Sequence, residues 1–187
     1  MAVTTLDPKT ALIIIDLQKG IVTFPTAHPV EAVVKNASAL AEAFRRSNLP
    51  VVLVNVAGVA SGRAEQARRT ADFPAGWTDL LPELNQQPED HLVTKRTWGA
   101  FTNTDLEKHL KNEGVTQVVL AGISTSAGVE STARFAHELG FNVALAIDAM
   151  TDMNMDAHTN SVTRIFPRLG ETGSTQEIID LLGKEKA

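Results

Sequence analysis

Short runs that are apolar at nearly every position constrain this chain more than any other feature. Ala11 to Ile15, Val118 to Ala121 and Val143 to Ile147 hold no polar residue; Pro50 to Val56 is broken only by Asn55; Leu92-Val93-Thr94 is a weaker version. A strand with one wet face alternates apolar and polar residues. A run without alternation suits a strand covered on both faces, as in a parallel sheet between helical layers. The intervening segments read as helices. Val30 to Arg46 places Val33, Val34, Ala37, Leu40, Ala41 and Phe44 on one stripe, with Lys35, Glu42, Arg45 and Arg46 elsewhere. Thr104-Asp105-Leu106-Glu107 and Ser174-Thr175-Gln176-Glu177 read as capping boxes that start helices. Ala127 to Leu139 and Asp156 to Phe166 are two more helices, the second stopped before Pro167. Gly114 and Gly140 suit positions just past helix ends.

Strands alternating with helices predict an α/β fold: a three-layer α/β/α sandwich with a central, mainly parallel sheet of Rossmann-like type. With 187 residues, one domain spanning 1–187 is expected. Sites in such folds lie beyond the carboxyl ends of strands. Three polar features fall there: Asp16, Lys95 and the loop from Gly122 to Gly128.

Each has two readings. Asp16, partly desolvated at a strand end, is either an acid or base with a raised pKa or a turn cap. Lys95 either places charge in a site or is a solvated surface lysine. The Gly122–Gly128 loop enters a helix, so its amides suit an oxyanion, or it is an ordinary turn capped by Ser124, Thr125 or Ser126. Ser124 and Ser126 are weak candidates for a nucleophile, because no His lies near them in sequence to act as base. Asp148 and Asp152 end the next strand, Asp148 more as a cap than as a pocket wall. Arg134 reads as a partner in a structural ion pair.

Charge and composition narrow the function. A net charge of -5 argues against a general nucleic-acid binder or a membrane binder. The absence of cysteine removes disulfides, thiolate metal sites and thiol catalysis. The five histidines form no metal-ligand pattern, so neither a metal nor a cofactor is expected. The N-terminus shows no signal-peptide pattern and no apolar run is long enough to span a bilayer, so a cytoplasmic protein is expected. The long mixed stretch from Ala57 to His91, with Arg63, Arg68, Arg69, Phe73 and Trp77, reads as a lid or an oligomer contact.

The strand-end motifs resemble those of the isochorismatase-like (cysteine hydrolase) superfamily. The markers are Ile14-Ile15-Asp16-Leu17-Gln18, then Lys95-Arg96 with Ala100-Phe101 and Thr104-Asp105-Leu106. The third is Ala121-Gly122-Ile123-Ser124-Thr125, followed by Val129-Glu130-Ser131-Thr132-Ala133-Arg134. The resemblance covers nearly the whole chain, from Thr10 to Leu182. It implies a catalytic Asp16 and Lys95, with Gly128 standing where the family's nucleophilic cysteine usually sits. It also implies a cis peptide between Ile123 and Ser124, and an oxyanion hole from the amides of Ser124 and Gly128. The family's nicotinamidases carry metal-binding Asp and His residues after the second strand, and Val54-Asn55-Val56-Ala57-Gly58 holds neither.

The family's isochorismatases also lack the cysteine and hydrolyse a vinyl ether by protonation and water attack. The resemblance therefore implies a Cys-independent hydrolase of a small molecule, with isochorismate cleaved to pyruvate and a dihydrodiol acid. The alternatives are an amidase-like hydrolase using Ser or water, and a non-catalytic small-molecule-binding relative. Arg96 or Arg63 is expected to hold substrate carboxylates. Phe24, Trp77, Trp98 and Phe101 are expected to wall the pocket, with Ser124 and Ser126 contacting substrate. A homo-oligomer, dimer or larger, is expected from the family.

Overall fold

The structure is a computed structural model that describes residues 3–65 and 73–184. Its strands are β1 (Thr10–Ile15), β2 (Val51–Val56), β3 (His91–Lys95), β4 (Gln117–Ile123), β5 (Asn142–Thr151) and β6 (Glu171–Gly173). Its helices are α1 (Val30–Arg46), α2 (Leu106–Asn112), α3 (Glu130–Glu138), α4 (Met155–Asn160) and α5 (Thr175–Lys184). One six-stranded sheet runs in the order β3-β2-β1-β4-β5-β6, every pair parallel. The expected α/β architecture is what forms.

Strand parity divides the core into two layers. Leu12 and Ile14 of β1, Leu53 of β2 and Val119 of β4 face α1 (Val33, Ala37, Leu40, Phe44) and α5 (Ile178, Leu182). Ala11, Ile13 and Ile15, Val52 and Val54, and Val118 and Leu120 face α2 (Leu106, Leu110) and α3 (Ala133, Ala136). Both faces are dry, which is why these runs do not alternate. Each fully buried Leu, Ile, Val or Phe contributes about 1.5–3 kcal/mol relative to exposure. Helix α1 has Glu31 in its first turn and Arg45 and Arg46 in its last, the charge order its dipole favours. It stops where Asn48 turns left-handed, with a φ of 53°.

Several local expectations change. The box at Ser174 forms: Glu177 Oε2 accepts from the Ser174 amide at 2.7 Å, and Ser174 Oγ from the Glu177 amide at 3.3 Å. The one at Thr104 does not. Asp105 takes the N-cap position without a side-chain cap, and Glu107 pairs with Lys111 one turn on instead. The helix expected from Ala127 begins as a π-helical turn, Thr125–Val129. The helix expected over Asp156 to Phe166 breaks into α4, a π-helical turn and a 3₁₀ turn, Phe166–Arg168, that accommodates Pro167. Strand β5 outruns its apolar core, and its register against β4 jumps from Leu120↔Leu145 to Gly122↔Met150. The extra residues carry Asp148 to α5, where it accepts from the amide and hydroxyl of Thr175 at 2.7 and 2.8 Å. Short β6 had no legible apolar run. Arg68 and Arg69 lie outside the described residues, so the lid reading of 57–91 extends past what the structure describes.

Candidate active site

The strand order reverses between β1 and β4, and the carboxyl ends of these neighbours form the crevice that doubly wound sheets use for ligands. Asp16 stands at the end of β1 with a φ of 52°, a left-handed conformation that aspartate tolerates better than most residues. This kink stops the strand. The Asp16 amide donates to the Val54 carbonyl at 2.9 Å. Two residues on, fully buried Gln18 ties the neighbouring strand end in place. Its Oε1 accepts from the Val56 amide at 2.7 Å, and its Nε2 donates to the carbonyls of Val56 at 3.1 Å and Trp77 at 3.2 Å.

Lys95 reaches this point from the end of β3, with β2 between its own strand and β1. Its Nζ donates to Asp16 Oδ2 at 2.7 Å and to the Thr97 carbonyl at 3.1 Å. Asp16 is 5% exposed and Lys95 2%. The solvated-lysine reading fails on this geometry. Asp16 Oδ1 is buried and has no hydrogen-bond partner. Two effects oppose each other at this carboxyl. Burial disfavours the anion, while the Lys95 ammonium and its hydrogen bond favour it. Burial wins, pushing the pKa from 3.8 up to about 6.

The β4–α3 connection supplies the opposite wall. The Ile123–Ser124 peptide is cis. A Cβ added at buried Gly128 would lie 2.9 Å from Ile15 Cγ2 and 3.4 Å from Asp16 Oδ2, so a side chain at 128 would crowd Ile15 and touch the carboxylate. The Gly128 carbonyl accepts from Thr132 Oγ1 at 2.7 Å, whose oxygen in turn accepts from the Ala100 amide at 3.1 Å.

Asp16, Lys95, Ser124 and Gly128 line a cavity of about 170 Å³, with Ile21, Val56, Val59, Phe73, Trp77, Trp98, Ala127 and Met153 as its largely apolar wall. Phe73 stacks on Trp77 with ring centres 4.1 Å apart, and Trp77 packs so closely on Gly20 that a side chain there would collide with the indole. Larger grooves lie elsewhere, including one of about 800 Å³ between α1 and the Pro82–Leu84 turn. Its acids Glu31, Glu42 and Glu83 are exposed, and it lies away from the carboxyl ends of the strands.

Other candidates fall outside this pocket. Arg96, just past the end of β3, does not line the cavity; it is exposed and donates to the Ala57 carbonyl at 3.1 Å. Arg63 is exposed and does not line the cavity. Phe101 is 8% exposed in the core beside Phe141, and half-buried Phe24 is not part of the cavity wall. Ser126 turns away: its amide and hydroxyl donate to Asp152 Oδ2 at 2.7 and 2.8 Å. Arg134 pairs with Glu130 one turn earlier. Among the described residues, no three His, Asp or Glu side chains gather as a metal site would require, and no helix is long and apolar enough to cross a membrane. Sequence reasoning missed Thr97, Val59 and Met153. The spacing of Thr97 two residues after Lys95 offered a signal for the first; the other two are placed only by the fold.

Fold and site together define a doubly wound α/β protein with a desolvated acid–lysine pair at its switch point. The chain belongs to the isochorismatase family, whose Isochorismatase domain model matches residues 10–177. It is 43% identical over 182 residues to the uncharacterized isochorismatase family protein YecD of Escherichia coli O157:H7, covering 92% of this chain and 96% of that one. It is 40% identical over 179 residues to the uncharacterized isochorismatase family protein YwoC of Bacillus subtilis, covering 92% and 93%. Among solved structures, an isochorismatase family protein from Burkholderia thailandensis superposes with a TM-score of 0.92 at 39% identity, covering 96% of this chain and 98% of that one.

Proposed function

We propose that this protein hydrolyses a small vinyl ether with Asp16 as proton donor and water as nucleophile, and that isochorismate is its substrate. The observation that carries this reading is the divided Asp16 carboxyl. Oδ2 is held by Lys95, while Oδ1 is buried without a partner and the group titrates near 6, so a proton on Oδ1 is available at near-neutral pH. That proton passes to the terminal vinyl carbon and leaves an oxocarbenium ion. Water adds to this ion and returns a proton to Asp16. The resulting hemiketal then breaks its ether C–O bond to give pyruvate and the dihydrodiol acid. Lys95 holds the carboxyl in place throughout.

Gly128, which the resemblance sets at the family's cysteine position, offers no nucleophile and keeps a side chain off Ile15 and Asp16. The amides of Ser124 and Gly128 are proposed to bind a substrate oxygen. An amidase using serine finds less support, because the Ser126 hydroxyl is committed to Asp152. A homo-oligomer is part of the proposal: Trp98 and Phe135 are 66% and 47% exposed, apolar surface that a second copy would cover. Incubation with isochorismate, with pyruvate read by a coupled dehydrogenase, tests the reading. Release at the level of an Asp16→Ala control rejects it, and a ligand bound without turnover would assign the pocket to binding alone.

A further inference from the structure

The turn that faces Asp16 carries Thr125 and Ser126 off the cavity, and both side chains are taken by the segment that follows β5. Asp152, 5% exposed, receives the amide and hydroxyl of Ser126 on Oδ2 and the Asn154 amide on Oδ1 at 3.2 Å. Thr125 is fully buried, and its Oγ1 lies 2.9 Å from Nδ1 of buried His158. The ring of His28 meets His158 edge-on at 4.6 Å and is itself held by Thr151 Oγ1 at 3.0 Å. At the start of α3, Glu130 Oε2 accepts from buried Ser161 at 2.6 Å. The cavity side of the same turn consists of Ser124, Ala127 and Gly128. None of Asp152, His158 and Glu130 lines the cavity. A turn with two π-helical bonds and a glycine has little of its own to hold it in one conformation. The buried carboxylate on one of its amides is the strongest bond it makes.

We propose that Asp152 is a positioning residue: through Ser126 it fixes the Thr125–Val129 turn so that the Ser124 and Gly128 amides aim at the oxygen of a substrate beside Asp16. The proposal rests on the reading of this turn as an oxygen-binding element. Asp152 touches no substrate and acts only through the turn.

The test compares wild type, Asp152→Ala and Asp152→Asn by steady-state kinetics on isochorismate and by amide hydrogen exchange in the full chain. Asp152→Ala is expected to lower kcat about 100-fold with KM changed less than about threefold, since a misaimed group weakens the transition state more than ground-state binding. The amides of Ser126 and Gly128 should then exchange faster, while those of β2 are unchanged. Asp152→Asn keeps one acceptor oxygen for Ser126 and should recover about tenfold of the lost kcat. The proposal is overturned if Asp152→Ala keeps wild-type kcat. It is also overturned if the asparagine variant is no better than the alanine one and both losses track the fall in Tm. If wild type releases no pyruvate, the hydrolase reading fails and exchange alone decides. Faster exchange confined to residues 124–128 then upholds the positioning role, and unchanged exchange overturns it.

Discussion

The Asp16 carboxyl makes folding stability depend on pH in a direction opposite to that of most salt-bridged acids. Its pKa rises from 3.8 to about 6 because burial outweighs Lys95. At about 1.4 kcal/mol per tenfold change in proton affinity, holding the carboxylate ionised in the folded state at pH 7 costs about 3 kcal/mol. The unfolded chain releases this proton near pH 4 and the folded chain near pH 6. Between these values the folded state binds more protons, so stability falls as pH rises, and above the window the loss is complete. Other carboxylates also titrate near pH 4, so the difference between wild type and Asp16→Asn isolates this one. The stability of wild type relative to the variant should drop by about 3 kcal/mol from pH 3.5 to pH 7, equivalent to a Tm shift of about 6–12 °C in a chain of this size. Urea titrations at half-unit pH steps measure it. The competent acid form should decline over the same range, with kcat falling tenfold per pH unit above about 6. A stability difference that is flat with pH, or that grows as pH rises, would mean that Lys95 holds Asp16 ionised, and the proton-donor argument would collapse with it.

Three further expectations follow from individual contacts. Gly128→Ala places a methyl 2.9 Å from Ile15 Cγ2 and 3.4 Å from Asp16 Oδ2; it should destabilise by about 1–3 kcal/mol and lower kcat at least tenfold, read by urea unfolding and pyruvate release. Ser126→Ala removes a hydroxyl but leaves the amide bond to Asp152, so kcat within about threefold of wild type is expected, whereas a serine nucleophile would lose nearly all activity. Arg45 donates to both oxygens of Asp90, whose side chain is buried, at 3.1 and 2.6 Å, and to the Leu84 carbonyl. Arg45→Ala strands that carboxylate and should lower stability by about 3 kcal/mol in urea while leaving kcat unchanged.

The sequence by itself determined the parallel sheet and the carboxyl ends of β1 and β2, while β6 and the far end of β5 had no legible run. Runs such as Ala11 to Ile15 have no wet face, and only a strand between two helical layers satisfies them, so the α/β fold was legible from local pattern. Asp16 and Lys95 were legible as strand-end residues for the same reason: a strand end is a property of a few neighbouring residues. What those side chains do was decided by the tertiary structure. A lysine after a weak apolar run looks solvated, and burial of Lys95 depends on β3 lying beside β2 and β2 beside β1, a strand order that no local pattern encodes. Packing also separates Lys95 from Arg96, neighbours in the chain of which one is buried against Asp16 and the other exposed outside the cavity. Ser126 shows the same limit at the turn. Its hydroxyl belongs to a carboxylate 26 residues away because the register jump in β5 extends that strand to the turn. Pattern along a chain reports which face is wet; the partner of a buried polar group is set by long-range packing, because a desolvated charge must find whatever counter-group the fold brings within reach.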